Sequence, residues 1–272
     1  MSDERSIEAI GIDVPSIPGV GNLRDVGGRW AGGGRPVRTG LLYRSTDLGR
    51  MGQDGIEAFV ALGIRRVYDL RTEAERRLLP DVVPDGTSHV PLDILADDPT
   101  ADPASLMSLV ADPRAARARL GGGRADSFFI DAYRAFVALP SARSGFGRLF
   151  WELADAGQEP ALVHCTTGKD RTGWAVAVLL LFLGVSDGDV LEEYLLSNGM
   201  LGPSAARMLG EFAARGGEPE LLRPLTEVRE SYLAAATDEM RRRYGTVETY
   251  VARGLRVDAP MRARLRRVFL GD

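Results

Sequence analysis

A run of ten apolar residues at positions 174–183 (WAVAVLLLFL) limits the fold of this 272-residue chain more than any other feature. A helix of this composition has no polar face to turn toward water, so it must be buried. The run is about half of the roughly 20 residues that a membrane-spanning helix needs. We therefore predict a buried helix over residues 171–183, preceded by a short strand, ALVHC, at residues 161–165.

The rest of the chain alternates between strand-like and helix-like patterns, which predicts an α/β fold with a mostly parallel central sheet flanked by helices. Thr72 and Glu75 have the spacing of a capping box and predict a short helix after the second strand. The C-terminal third is predicted to be helical. The further predicted strands cover residues 40–45, 65–71 and 88–94, and the further predicted helices cover residues 54–62, 104–120, 127–139 and 141–156.

Composition and net charge limit the partners and the compartment that we expect for this protein. The formal net charge of −4 gives no overall attraction to nucleic acid or to an anionic membrane. A single cysteine cannot form an intrachain disulfide and fits a reducing compartment. The first residues are acidic and lack the apolar segment of a signal peptide. We expect a cytoplasmic protein without stable membrane insertion, although secretion by another route stays open, as does the oligomeric state.

The loop between the predicted strand and the buried helix contains residues that are rare in this chain. Cys165 is the only cysteine and Lys169 is the only lysine. A strand, a tight loop and a helix N-terminus bring unpaired backbone N–H groups and a positive dipole end together, which favours a phosphate-sized anion. The predicted phosphate-binding residues are Thr166, Thr167, Gly168, Lys169, Asp170 and Arg171.

Cys165 and Arg171 would supply the chemistry. A helix N-terminus and nearby cations favour the thiolate form of Cys165, and the guanidinium of Arg171 can bind two phosphate oxygens at once. The thiolate would attack phosphorus to form a phosphocysteine that water hydrolyses, and Thr172 could donate its hydroxyl to the departing sulfur. The loop is not a nucleotide-binding loop of the G-x-x-x-x-G-K-[ST] type, because Asp170 follows the lysine and Val163 stands in the first position.

The motif HCTTGKDRTG resembles the signature loop of cysteine-dependent protein tyrosine phosphatases, and in particular that of the bacterial tyrosine/serine protein phosphatase family. Segments at residues 21–28, 41–48, 67–76 and 228–251 also fit the pattern of that family. The resemblance implies a single phosphatase domain over residues 1–272, with a helical lid at about residues 199–226 covering the active site. It implies no metal and no other cofactor.

A phosphatase of this kind needs a general acid for the leaving group. Asp93 ends a predicted strand, at the sheet edge where α/β proteins bind ligands, and is the first candidate. Asp170, inside the loop, is the second candidate, either as proton donor or as the group that orients water. Asp69 is the third, although Arg71 and Arg24 could simply pair with it.

The sequence leaves the substrate open. A phosphorylated protein with phosphotyrosine is the first predicted substrate, with phosphoserine as a second option at the same site. Lys169 could attract a second phosphate, so a phosphoinositide is the alternative, unless this lysine is only a solvated charge. An inactive phosphate-binding module is a further alternative, which the presence of Cys165, Arg171 and Thr172 disfavours. Sulfur-transfer or arsenate chemistry would need a second cysteine, which this chain lacks.

Overall fold

The computed structural model describes residues 15–98 and 103–271. The prediction drawn from the first residues of the chain therefore lies outside the described residues. Within them, the strands are β1 Arg24–Asp25, β2 Trp30–Ala31, β3 Arg35–Pro36, β4 Leu42–Ser45, β5 Arg66–Asp69, β6 Ser88–Pro91 and β7 Ala161–His164. Five of them form a sheet in the order β1–β4–β7–β5–β6, in which β1 is antiparallel to β4 and all other neighbours are parallel. Strands β2 and β3 form a separate hairpin.

Helices flank this sheet, which confirms the predicted α/β fold with a mostly parallel centre. The helices are α1 Gln53–Ala61, α2 Glu73–Leu78, α3 Pro103–Ser108, α4 Pro113–Leu120, α5 Arg124–Ala138, α6 Pro140–Asp155, α7 Arg171–Leu183, α8 Asp187–Ala214, α9 Arg223–Thr226, α10 Glu230–Tyr244, α11 Val247–Thr249 and α12 Ala259–Leu270. Short 3-10 turns cover Leu109–Ala111 and Pro219–Leu221, and a π turn covers Tyr250–Gly254. No helix in the described part of the chain is both long enough and apolar enough to cross a bilayer.

The helix α7 has the predicted bounds and the predicted burial. Every residue of it except Leu181 is buried, including Trp174 near its N-terminus. Its apolar surface contributes to the main hydrophobic core together with strand β7 and helices α5, α6 and α10. Burial on all sides explains why this segment carries no polar face.

The predicted helix over residues 104–120 is wrong as a single element, because the chain breaks at Asp112. The carboxylate of Asp112 accepts hydrogen bonds from the backbone N–H groups of Arg114 and Ala115, and Pro113 occupies the first turn of α4. Proline is tolerated in a first helical turn but not in a helix interior, so α4 has to begin here.

The strand register places three loops side by side at one edge of the sheet. Ser45, the last residue of β4, and Asp69, the last residue of β5, both pair with His164, the last residue of β7. The chain therefore leaves these three neighbouring strands at the same level. The loop that begins at Cys165 lies between the segments that follow β4 and β5, which can supply side chains to it from both sides.

Candidate active site

The loop at residues 165–170 depends on glycine at one position. Gly168 has a φ of +65°, in the left-handed region, and a Cβ atom added to it would lie 2.0 Å from the backbone oxygen of Ser45. Both the backbone conformation and the close approach of β4 therefore exclude a larger residue. This glycine lets the loop curl tightly between β7 and α7.

Donors outside the loop hold its carbonyl groups. Because C=O and N–H point to opposite sides of a trans peptide, fixing the carbonyls outward leaves the N–H groups free to line the inside of the curl. A ring of N–H groups at a helix N-terminus is suited to an oxyanion. Three donors make these bonds: the backbone N–H of Asp47 donates to Thr166 O (3.2 Å), Asn22 Nδ2 donates to Thr167 O (3.1 Å), and Arg44 Nη2 donates to Gly168 O (2.6 Å).

Cys165 lies at the start of this curl and is only 1% exposed. After the larger effect of Glu75, the proximity of Cys165 in its thiolate form also contributes to raising the pKa of the Arg171 guanidinium. A cavity of about 80 Å³, room for several waters, lies over the loop and is lined by Thr166, Thr167 and Arg171 among others. The sulfur therefore lies near the guanidinium, and the adjoining loop residues face open space.

Arg171 is buried and fixed by Glu75. Its Nη1 donates to Glu75 Oε2 at 2.7 Å, and its Nη2 donates to Glu75 Oε1 at 2.6 Å. Burial alone would lower the pKa of Arg171, but the charge and hydrogen bonds of Glu75 raise it above its ordinary value. The Nε–H and the second N–H of Nη2 form a fork on one edge of the guanidinium, and no described residue accepts a bond from them. That fork can bind two oxygens of a phosphate group.

Glu75 is a site residue that the sequence reasoning assigned only to a helix cap. It completes the predicted capping box with Thr72 at the start of α2, and the same carboxylate binds Arg171 and accepts a hydrogen bond from the hydroxyl of Thr166. Burial would raise the pKa of Glu75, but Arg171 and the hydrogen bonds to Thr166 and Thr72 lower it to about 2. Glu75 is therefore ionised and orients both a side chain and a loop residue of the site.

Asp170 and Lys169 form a second polar group in the wall of the same cavity over the loop. Lys169 Nζ donates to Asp170 Oδ1 at 2.8 Å and to the backbone oxygen of Glu227, and lies 4.8 Å from the centre of the Phe129 ring. The hydroxyl of Tyr133 also donates to Asp170, at 3.0 Å. Lys169 is only 2% exposed, so the alternative of a solvated surface charge is wrong. Its ammonium group instead fixes the carboxylate of Asp170.

The predicted acid Asp93 lies in a different setting. Its carboxylate accepts bonds from the backbone N–H of Glu73, at the first residue of α2, and from that of Leu95. It is not among the residues that line the cavity over the loop, whereas Asp170 is. The structure therefore places Asp170, rather than Asp93, in the wall of the cavity over the loop.

Asp69 belongs to a polar cluster behind the loop. It pairs with Arg71 at 2.8 Å, as the sequence suggested, whereas Arg24 pairs with Glu193 instead. One ligand atom each of Asp69, Asp81, His89 and His164 lies within 4.8 Å of the others, a spacing that could hold a metal ion.

A charged side chain already occupies this cluster. Arg71 Nη2 lies 2.8 Å from Asp69 and 2.7 Å from Asp81. The same two carboxylates raise the pKa of His89 to about 9 through their hydrogen bonds. Two carboxylates are thus balanced by Arg71 and a protonated His89, and a divalent cation would have to displace the arginine.

A larger, mostly apolar cavity of about 340 Å³ adjoins the site. Asp170 and Arg171 line it as well as the cavity over the loop, so the two cavities share a polar wall. The remaining walls include Leu95, Leu106, Phe128, Phe129 and Phe136, with carboxylates at Asp98 and Asp131. Such a cavity suits a flat, apolar group attached to a bound phosphate.

Comparisons with known proteins agree with this geometry. A sequence profile described as the tyrosine phosphatase family matches residues 15–271. The chain is 34% identical over 241 residues to a Cupriavidus necator protein named as a candidate tyrosine-protein phosphatase, covering 88% of this chain and 83% of that protein. It is 32% identical over 282 residues to the triple specificity protein phosphatase PtpB of Mycobacterium tuberculosis, covering 95% of this chain and 99% of PtpB. The chain belongs to the tyrosine phosphatase family.

Proposed function

We propose that this protein hydrolyses phosphotyrosine monoesters by cysteine-dependent chemistry, with Cys165 as the nucleophile. The observation that carries the proposal is the unused fork of Arg171, held by Glu75 beside a curl whose carbonyls are turned outward. Together the guanidinium and the backbone N–H groups can bind the three non-bridging oxygens of a phosphate, with its phosphorus next to the sulfur.

The proposed reaction has two steps, and the proton used in the first is recovered in the second. In the first, the thiolate of Cys165 attacks phosphorus, a P–S bond forms, and the bond from phosphorus to the tyrosine oxygen breaks while an acid protonates that oxygen. In the second, water attacks the phosphocysteine, gives its proton to the same carboxylate, and releases phosphate and the thiolate. Thr172 is buried and its hydroxyl bonds no described acceptor, so it is available to the departing sulfur.

We assign the acid role to Asp170 on geometry. It lines both cavities at the position where a leaving oxygen would emerge, and Tyr133 and Lys169 fix its carboxylate. The assignment of Asp93 as the acid stays a prediction, which a comparison of Asp170→Asn with Asp93→Asn can decide. Its carboxylate caps α2 through the backbone of Glu73.

The apolar cavity supports an aryl phosphate over a phosphoinositide. Three phenylalanines and two leucines would contact the ring of a phosphotyrosine, and this burial is favourable. An inositol ring carries hydroxyl and phosphate groups that would lose their hydration against these walls.

The decisive experiment compares the wild-type protein with Cys165→Ser on phosphotyrosine peptides, phosphoserine peptides and phosphoinositides. We expect turnover on phosphotyrosine that Cys165→Ser abolishes, and a phosphoenzyme that rapid acid quenching traps only in the wild type. Because PtpB is named for triple specificity, the panel includes more than one class of substrate. Preference for a phosphoinositide, or turnover by Cys165→Ser, would contradict the proposal, and binding without turnover would indicate a phosphate-binding module.

A matched pair of variants assigns the acid. Asp170→Asn and Asp93→Asn are compared on aryl phosphates whose leaving groups range from phenol to dinitrophenol. Loss of a general acid slows poor leaving groups most, because a good leaving group needs no proton. We expect that pattern for Asp170→Asn and a nearly uniform, small change for Asp93→Asn. The reverse result would make Asp93 the acid.

A further inference from the structure

A buried group of two arginines and one glutamate adjoins the backbone carbonyls of the loop. Arg24 is 2%, Arg44 is 0% and Glu193 is 2% exposed. Glu193 Oε1 accepts from Arg24 Nε at 2.8 Å, and Oε2 accepts from Arg44 Nη1 at 2.7 Å. A single carboxylate therefore orients both guanidinium groups. An ionised trio with this little exposure is costly to bury unless its remaining donors are also used.

Arg44 uses its other terminal nitrogen on the loop itself. Its Nη2 donates to the backbone oxygen of Gly168 at 2.6 Å and reaches that of Lys169 at 3.4 Å. One guanidinium thus connects Glu193 with two consecutive peptide groups of the curl. These are the peptides whose orientation decides whether their N–H groups face the anion.

Glu193 also links this arrangement to a long helix outside the loop. It lies in α8, Asp187–Ala214, and the segments that follow this helix bring Leu225 into the wall of the cavity over the loop. The next residue, Tyr194, bonds the hydroxyl of Tyr133 at 2.6 Å, and Tyr133 in turn donates to Asp170. Two consecutive residues of α8 therefore connect to both sides of the loop.

We infer that Arg44 is a positioning residue that holds the catalytic loop in its anion-binding conformation, and that Glu193 orients Arg44 for this role. The docking of α8 and the geometry of the loop are then coupled through one ion pair. The inference rests on the proposed phosphatase function. It assigns no contact between substrate and Arg44, which lies behind the curl.

The test uses Arg44→Lys and Glu193→Gln in the full chain. Lysine keeps the charge of Arg44 but cannot bond Glu193 and Gly168 with a rigid fork. Glutamine keeps the shape of Glu193 without its charge. We expect both variants to lower kcat/KM for an aryl phosphate and to weaken competitive inhibition by inorganic phosphate, each on the order of 10- to 100-fold. Glu192→Gln is the matched control: this neighbour is exposed and pairs with Arg29, so its effect should stay within about twofold.

Further readouts separate positioning from stability. Leu265→Ala removes a buried side chain in α12, and its urea midpoint sets the reference for a purely structural loss. If Glu193 acts through Arg44, adding Glu193→Gln to Arg44→Lys should have little further effect on inhibition by phosphate. The inference would be overturned if phosphate inhibited Arg44→Lys as strongly as it inhibits the wild type. If Arg44→Lys does not fold, the same result in Glu193→Gln would overturn it. Calorimetric binding of inorganic phosphate does not need turnover, so it tests the loop even if the proposed activity fails.

Discussion

Replacing Glu75 by glutamine tests the central ion pair of the site. The substitution keeps the volume of the side chain but leaves the buried guanidinium of Arg171 without its carboxylate. It also weakens the bond from Thr166 and one half of the capping box at the start of α2. We expect a loss of both stability and activity, because one carboxylate serves the fold and the site.

Two estimates of the stability loss agree. The pKa of Glu75 is lowered from 4.5 to about 2, and a difference of this size corresponds to about 3 kcal/mol in favour of the folded, ionised form. Removing one partner of a buried ion pair costs about 3–5 kcal/mol. We therefore expect Glu75→Gln to lower the free energy of unfolding by about 3 kcal/mol. A displaced Arg171 should reduce kcat/KM on the order of 100-fold.

Urea denaturation at pH 7 and aryl phosphate hydrolysis measure the two effects. Because the folded pKa of Glu75 lies below the unfolded value, its contribution is present above pH 4.5 and disappears as the pH falls through 2. Glu75→Gln should lack this acid-dependent part. Thr72→Ala is the control, since it removes the helix cap at a cost of about 1 kcal/mol but leaves the pair of Glu75 with Arg171. Wild-type activity in Glu75→Gln, or equal activity losses in both variants, would refute the reasoning.

Two further predictions concern His89, in the polar cluster behind the loop, and Gly168, in the loop itself. The pKa of His89 is raised to about 9 by Asp69 and Asp81, so the stabilising contribution of its protonated form is complete below pH 6.5 and is lost as the pH rises through 9. His89→Gln should therefore flatten the decline of the urea midpoint at alkaline pH. An unchanged decline in this variant would exclude His89 as its source. Gly168→Ala should abolish phosphate binding and turnover, because its Cβ would meet the backbone of β4. Gly63→Ala is the control with the same sign of φ but no atom within 4 Å, and equal effects of the two alanines on kcat would show that backbone strain alone explains the result.

The sequence predicted the parts of the site that are local in the chain. The strand, the loop and α7 are contiguous, and their apolar runs and rare residues identify them without any tertiary information. The two ion pairs are different, because Arg171 is separated from Glu75 by 96 residues and Arg44 from Glu193 by 149. No periodic pattern connects such positions. The role of Glu75 in the site could not be inferred from the sequence either, because a capping box fully accounts for a glutamate at that spacing.

Three cations around the loop are held in the same way, and this explains why only the local part of the site could be predicted from the sequence. Arg171 is matched to Glu75, Arg44 to Glu193 and Lys169 to Asp170, so each charge is fixed in direction by a carboxylate. Two of these carboxylates lie outside the loop, on α2 and α8, and only the tertiary fold brings them there. A signature motif therefore specifies which groups are available to the proposed phosphate, whereas the surrounding helices specify where those groups point. Because an oxyanion site depends on preorganised donors rather than on net charge, it can be built into a chain whose formal net charge is −4.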